Sequence, residues 1–198
     1  AESQEAVLVI NGQMQGPFKA GRYTLDTQNI PVISSLTNIP FGGQSPFSAE
    51  VWYVSKAMSL DVKWGTPEAI QLIDPKYGVM IPVRAYGQLG IQIQDSKKFL
   101  IKLVGSLNEF KKQDLLDYIK GMLLTSISDL IATVITKRKV SILEMSAMLE
   151  DLSKELGGSV AEALAEFGIG LVNFYVFSIK VPEQDPSVMK LRNMLSKR

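Results

Sequence analysis

The side chains in this chain that could support acid–base chemistry are carboxylates, lysines and tyrosines, because the sequence contains neither histidine nor cysteine. Two carboxylate pairs have helical spacing, Asp114 with Asp117 and Glu162 with Glu166. Carboxylates that share a cleft can act as general acid and base, whereas exposed carboxylates simply solvate a helix surface. We expect these pairs to be solvated surfaces, and we predict no catalytic residue.

The two missing residue types exclude several classes of enzyme. Without histidine there is no side chain whose ordinary pKa lies near neutrality, and without cysteine there is no thiolate nucleophile or thiolate zinc site. The sequence also lacks a phosphate-binding glycine loop, a dinucleotide fingerprint, a nucleophile elbow and a calcium loop. We therefore predict a non-enzymatic protein without cofactor or metal. An enzyme with a carboxylate or lysine site stays open as an alternative.

Two kinds of candidate binding residue also have a simpler structural role. Arg84 and Tyr86 could bind an anion, but a structural polar pair is the expected role. The basic runs at residues 111–112 and 137–139 are short and lack interleaved aromatic residues. With 21 Lys and Arg against 20 Asp and Glu, the net charge is +1, so no nucleic-acid partner is predicted.

The last segment, residues 186–198, is predicted to begin a C-terminal helix. Pro186 can open it, and no acidic residue follows Asp185. Apolar residues recur there at spacings of three and four, which is typical of a coiled-coil seam or of a basic amphipathic helix. The sequence does not decide between an oligomer-forming and a membrane-facing helix. The residues concerned are Val188, Leu191 and Leu195, with Lys190 and Arg192.

The pattern over residues 6–93 is typical of strands and turns. Residues 89–94 alternate apolar and polar side chains, as a half-buried strand does. A long link at residues 34–48 contains Phe41 and Phe47, and we expect these rings to pack the link down.

From Asp95 onward the apolar period becomes that of a helix. Asp95 or Ser96 can cap a short helix that runs to about Val104 and ends at Gly105. A longer helix is predicted at residues 112–136. Its methionine Met122, like Met145 and Met148 further along, is expected to fill the core.

A third helical stretch starts at a capping box, Ser141 with Glu144, and its apolar stripe continues to Phe167. One long helix is the expected structure, and a break at Gly157 and Gly158 is the alternative. Residues 169–181 then form a closing strand. The most apolar stretch, residues 168–181, is too short for a transmembrane helix, and no membrane-spanning segment is predicted.

Strands followed by helices and a closing strand predict an α+β fold. The predicted division is a β-rich segment at residues 1–94, an α/β segment at residues 95–185 and the start of the C-terminal helix at residues 186–198.

Several short motifs, in this order and spacing, resemble the SPFH (band 7) domain of stomatins, prohibitins and flotillins. The agreement covers residues 6–190 and is closest to the bacterial branch labelled virion-core-protein-like. The motifs include Gly21-Arg-Tyr-Thr-Leu25, Pro46-Phe-Ser-Ala-Glu50, Trp64-Gly-Thr-Pro67, Pro82-Val-Arg-Ala-Tyr-Gly87 and Glu166-Phe-Gly-Ile-Gly170.

The resemblance implies a β-rich first part, an α/β second part and no agreed catalytic residues. Members of this family are non-enzymatic scaffolds that assemble at membranes, and some regulate membrane proteases or channels. We therefore expect a homo-oligomer with a membrane protein or a protease as client, in the cytoplasm and peripheral to a membrane. Binding of an anionic lipid surface by the basic C-terminal helix is the alternative.

Overall fold

The computed structural model describes residues 3–10, 12–24, 49–57, 60–105 and 110–197. Strands come first, followed by helices and a closing strand, which confirms the α+β class. The link at residues 34–48 lies outside the described residues, so the packing of Phe41 and Phe47 stays a prediction.

The chain forms two compact units, each assembled from segments that are distant in sequence. The division at residues 94 and 185 stays a prediction. Unit 1 comprises Ala1–Met58, Gln92–Ser106 and Phe167–Ile169, and unit 2 comprises Ser59–Ile91, Leu107–Glu166 and Gly170–Arg198.

Unit 1 contains a three-stranded antiparallel sheet in the order β2-β1-β3. The strands are β1 (Gln4–Ile10), β2 (Gln13–Phe18) and β3 (Ala49–Ser55). The β-branched and apolar run at residues 6–10 suits a strand, and Gly12 makes the following turn at φ 77°. Leu8 and Ile10 are buried, with Phe18 packed against them.

The short helix of unit 1 confirms the predicted cap and end. It begins as α1 (Ser96–Phe99) and continues as a π-helical segment, Leu100–Val104. The Asp95 carboxylate accepts from the Lys98 N–H at 2.9 Å, and Gly105 ends the segment at φ 55°. Ser96, Phe99, Leu100 and Val104 are buried, so the remaining side chains form the outer surface of α1.

The sheet of unit 2 is centred on its longest strand, β6. Its members are β4 (Leu60–Gly65), β5 (Ile70–Ile73), β6 (Met80–Ile93) and β7 (Ile169–Lys180). β4 and β5 pair antiparallel with successive stretches of β6, and β7 also pairs with β6. Alternate residues of β6 are buried, as a sheet with one covered face requires: Ile81, Val83, Ala85, Leu89 and Ile91.

Unit 2 also contains α2 (Lys112–Arg138), a 3-10 segment (Ile142–Met148), α3 (Leu149–Ala165) and α4 (Pro186–Ser196). α2 packs on β4 and β5, and α3 packs on α2 and on the 3-10 segment. Trp64 of β4 stacks on Phe174 of β7 at 5.3 Å between ring centroids. The Val176 N–H donates to the Ser153 hydroxyl of α3 at 2.8 Å, which fixes α3 against β7.

The predicted helices are largely confirmed. α2 ends two residues beyond the predicted residue 136, and α3 runs through Gly157 and Gly158 without a break. The capping box of Ser141 and Glu144 is formed, but it starts a 3-10 segment and the α-helix begins only at Leu149. That tighter winding corrects the expectation of one continuous α-helix from Ser141.

Among the described residues, α2 is long and apolar enough, by length and composition alone, to cross a membrane. The sequence pattern had pointed to residues 168–181 as the most apolar stretch and to no spanning segment. A core helix of a soluble protein meets the same criteria, so the finding is weak evidence for a span. The buried side of α2 consists of Leu115, Ile119, Leu123, Ile127, Ile131, Val134 and Ile135.

Candidate functional site

The two predicted carboxylate pairs lie on helix surfaces. Asp114 accepts from the Lys111 N–H at 2.8 Å at the start of α2, and Asp117 accepts from the Gln113 amide at 2.8 Å. Glu162 and Glu166 are exposed at the end of α3. These carboxylates cap or solvate their helices, which is the role that the sequence favoured.

The carboxylate of Asp74 is fully buried in unit 2. It accepts from the Ser141 hydroxyl at 2.8 Å and from the Ile142 N–H at 2.7 Å. It also accepts from the N–H groups of Lys76 and Tyr77, each at 3.0 Å. Four donors occupy this carboxylate, so Asp74 joins the β5–β6 turn to the 3-10 segment and has little capacity left for a substrate.

An ion pair reinforces the same junction. The Lys76 ammonium lies 3.0 Å from the Glu144 carboxylate, and the Ser141 N–H donates to Glu144 at 3.2 Å. The hydrogen bond from Lys76, and then that from Ser141, lower the pKa of Glu144 below its ordinary value. A carboxylate held ionised in this way accepts structural hydrogen bonds and is a weaker general base.

The other half-buried carboxylate of interest is Glu5 of unit 1. The Ser96 hydroxyl donates to it at 2.6 Å, and the Lys56 ammonium lies 3.4 Å away. The hydrogen bond from Ser96 is the main reason why the pKa of Glu5 lies below its ordinary value, and Lys56 adds to the effect. Glu5 therefore ties β1 to α1 as an ionised group.

Glu5 borders an open cleft of about 560 Å³ in unit 1, whose other wall is basic. Lys97, Lys98 and Lys102 line that wall and make no ion pair within the described residues. Among them lies Ile101, whose residue surface is 59% exposed. These three ammonium groups and the exposed aliphatic side chain follow α1 and the π-helical segment after it, and this surface is called here the basic edge of α1. The Glu5 and Asp95 carboxylates line the same cleft.

An exposed surface of unit 2 with several large apolar side chains is the face of its sheet opposite α2, called here the open sheet face. Tyr86, Tyr175 and Phe177 lie there about half exposed. Tyr175 stacks on Phe177 at 6.3 Å between centroids, and the Lys180 ammonium lies 5.3 Å from the centre of the Tyr86 ring. Ile73 and Met80, which are register partners of each other at the start of β6, are also exposed.

The expected structural pairing of Arg84 with Tyr86 is wrong. Both side chains are exposed, and no hydrogen bond joins them in the described structure. Residues two apart in a strand share a face but are about 7 Å apart, so their side chains need not meet. Tyr86 meets Lys180 instead.

The C-terminal helix α4 is capped by Asp185, which accepts from the Ser187 N–H at 2.8 Å. Val188 and Leu191 are fully buried within unit 2, and Leu195 is half buried. Lys190 and Arg192 are exposed, and Arg192 pairs with Glu183 at 3.1 Å. Two of the three predicted seam residues are thus packed within the chain, and the oligomer or membrane role of α4 stays a prediction.

Neither the described carboxylates nor any other described side chains form a group of three or more potential metal ligands. The candidate functional features among the described residues are three surfaces: the open sheet face of unit 2, the basic edge of α1 and the exposed side of α4.

Comparison with known proteins decides the family. The model of the SPFH domain-Band 7 family matches residues 1–196, nearly the whole chain. The chain belongs to the SPFH domain-Band 7 family. This confirms the resemblance that the sequence motifs indicated.

A curated relative in this SPFH family is an uncharacterized protein, YdjI, of Bacillus subtilis (strain 168). It is 27% identical over 184 residues, which is 91% of this chain and 55% of the relative. The chain spans about half the length of that relative. SPFH proteins are generally non-enzymatic and often membrane-associated. The three candidate surfaces of this chain suit a protein that binds partners.

Proposed function

We propose that this SPFH domain is a non-enzymatic scaffold that assembles into homo-oligomers and organises protein partners at or near a membrane. The observation that carries the proposal is the open sheet face. Large side chains there are about half exposed, and Phe177 is 52% exposed. Contiguous apolar surface of this kind marks interaction sites in folded proteins.

The chemistry of the described carboxylates supports a scaffold over an enzyme. Asp74 and Glu5 accept hydrogen bonds from groups that hold separate elements together. A general base needs a free lone pair and a pKa near the working pH, and the pKa of Glu5 is shifted the opposite way. Clients of the scaffold would be membrane proteins or proteases, at the cytoplasmic face of the membrane.

Light scattering on the full-length protein tests assembly. We expect a mass several times that of one chain, with a concentration-dependent distribution. A strict monomer at high concentration would overturn the proposal. Separation by size before the measurement distinguishes defined oligomers from aggregates.

A specific feature also favours a second candidate, peripheral binding to an anionic lipid surface. The basic edge of α1 places Lys97, Lys98 and Lys102 around the exposed Ile101. Lysines near an anionic leaflet each contribute about 1 kcal/mol, and one aliphatic side chain can enter the headgroup region. This surface competes with the predicted α4 for the same role.

A further inference from the structure

The open sheet face carries cations as well as aromatic rings. Arg84 is exposed between Met80 and Tyr86 on the same side of β6, and it makes no ion pair within the described residues. Lys180 adds a second cation at the Tyr86 ring. β6 and β7 contain no acidic residue in any of their 14 and 12 positions, so nothing on these strands neutralises the two cations.

An acidic surface lies on the outer side of α3. Glu150 pairs with Lys154 at 2.8 Å, and Glu155 pairs with Arg138 at 2.8 Å. Glu162 and Glu166, four residues apart, are exposed and have no basic partner within the described residues. The end of α3 therefore presents two free carboxylates.

α3 packs against β7, where Ser153 accepts from the Val176 N–H and Phe174 lies close to Gly157. Glu150 and Lys154 of α3 line one cleft with Tyr175 and Phe177, so the start of α3 borders the open sheet face. Glu162 and Glu166 lie further along α3, on the side away from its buried residues. They therefore point away from β7 and are accessible to a second copy.

The charges on the two surfaces are opposite in sign and similar in spacing. Residues 162 and 166 are about 6 Å apart along a helix. Arg84 and Tyr86 are about 7 Å apart along β6, and Lys180 lies over Tyr86. A helix laid on the open sheet face can thus bring one carboxylate to each cation while it covers the rings.

We propose that a second copy of this chain docks the outer side of its α3 on the open sheet face, with Glu162 and Glu166 facing Arg84 and Lys180. The contact is head to tail, because each copy contributes a different surface. Such contacts leave one surface free at each end and propagate into rings or filaments. This inference rests on the proposed assembly and names the surfaces that form it.

Charge reversal in the full-length protein tests the contact. Arg84→Glu and Glu162→Lys are each expected to raise the protein concentration needed for assembly at least tenfold. Light scattering after size separation measures this change. The double variant is expected to regain assembly, because the reversed charges again face each other. Lys19→Glu and Glu50→Lys, exposed positions in unit 1, are matched controls that should leave the mass unchanged.

Mixing the two single variants tests the head-to-tail polarity. An Arg84→Glu copy keeps a native α3, and a Glu162→Lys copy keeps a native sheet face. Their equimolar mixture should regain assemblies larger than a dimer, because the native α3 of one variant faces the native sheet of the other, and the two reversed charges also face each other. A mixture that stays monomeric would contradict the contact, and one that stops at dimers would contradict the head-to-tail arrangement.

The remaining outcomes separate this inference from the proposed function. If the wild-type protein assembles and neither reversal changes its mass, the inference is overturned and the scaffold proposal stands. If the wild-type protein is monomeric, both are overturned. If Arg84→Glu removes binding to vesicles or to a single-stranded oligonucleotide without affecting assembly, the open sheet face serves another partner and the inference is overturned.

Discussion

Asp74 is the side chain whose removal should cost unit 2 most. Asp74→Ala would leave the buried Ser141 hydroxyl and Ile142 N–H without their acceptor. Because hydrogen bonds to a charged group are worth about 1.5–3 kcal/mol each, we expect the free energy of unfolding to fall by about 3 kcal/mol or more. Urea unfolding followed by circular dichroism measures this change.

Two variants calibrate the effect of Asp74. Ser141→Ala removes one of the donors and should cost about 1–2 kcal/mol. Asp61→Ala, at an exposed position of β4, should change stability by less than about 0.5 kcal/mol. Equal effects of Asp61→Ala and Asp74→Ala would refute the proposed joining role.

Glu5 should make the stability of unit 1 depend on pH in the acid range. Its pKa is lowered in the folded chain, chiefly by the Ser96 hydroxyl, from an ordinary value of 4.5. The stabilisation is therefore present above pH 4.5 and is lost as the pH falls through the lowered pKa. The difference in unfolding free energy between wild type and Glu5→Gln should be constant near neutrality and shrink below pH 4.5.

Ser96→Ala provides the control for the Glu5 experiment. It removes the largest cause of the lowered pKa and should flatten the pH dependence towards that of Glu5→Gln. A pH dependence unchanged in both variants would show that the acid sensitivity arises elsewhere.

Individual residues also show which contacts can be predicted from the sequence and which cannot. The Asp95 cap and the capping box of Ser141 and Glu144 were predictable because their partners are three residues away. Asp74 precedes Pro75, and that pair of residues indicates only a turn. Its decisive donors are 67 and 68 residues further along the chain, and no local pattern reports such a pairing.

Among the elements, α3 offers a matched pair of glycines that tests its packing. A Cβ at Gly158 would meet nothing within 4 Å, whereas one at Gly157 would lie 3.2 Å from the Phe174 Cβ. Gly158→Ala should therefore raise the free energy of unfolding by up to about 1 kcal/mol, through helix propensity alone. Gly157→Val should lower it by about 1–3 kcal/mol, because the larger side chain forces α3 away from β7.

Thermal and urea unfolding of the two variants and of wild type show whether each substitution raises or lowers the free energy of unfolding. Stabilisation by Gly157→Val would mean that α3 can move away from Phe174 at little cost. The same result would weaken the inference that α3 has a fixed outer surface.

For helices and strands, the sequence predicted which elements exist more accurately than it predicted where they end and which of them pack together. The period of apolar residues predicted α2 and α3, and α3 ends at Ala165, shortly before Gly168 at φ 72°. The 3-10 winding of residues 142–148 was missed, because its apolar spacing is also compatible with an α-helix. The alternation of Tyr175 and Phe177 in β7 was a usable sign of an open sheet face that went unrecognised.

For the whole molecule, the net charge of +1 conceals small local groups of like charge. Cations gather on the open sheet face and along α1, while free carboxylates gather at the end of α3. Composition could not predict this grouping, because it depends on which strands and helices share a surface. The motifs did predict the family, and the family match confirms it over residues 1–196.

Vesicle binding should distinguish the two basic surfaces of the molecule. Lys97→Gln with Lys102→Gln removes two charges from the basic edge of α1, worth about 2 kcal/mol at an anionic leaflet. We therefore expect co-sedimentation with vesicles that contain phosphatidylserine to weaken about 30-fold. Ile101→Ser should weaken it further, since the exposed side chain no longer enters the headgroup region.

The matched control places the same charge change on α4, as Lys190→Gln with Lys197→Gln, two exposed lysines. This variant should bind as wild type does, because the apolar residues Val188 and Leu191 of α4 are already buried in unit 2 and cannot follow the lysines into a bilayer. If the α4 variant loses vesicle binding and the α1 variant keeps it, the lipid-binding surface lies on α4. Equal binding to vesicles of phosphatidylcholine alone would instead exclude electrostatic attachment by either surface, since a neutral leaflet offers the lysines no counter-charge.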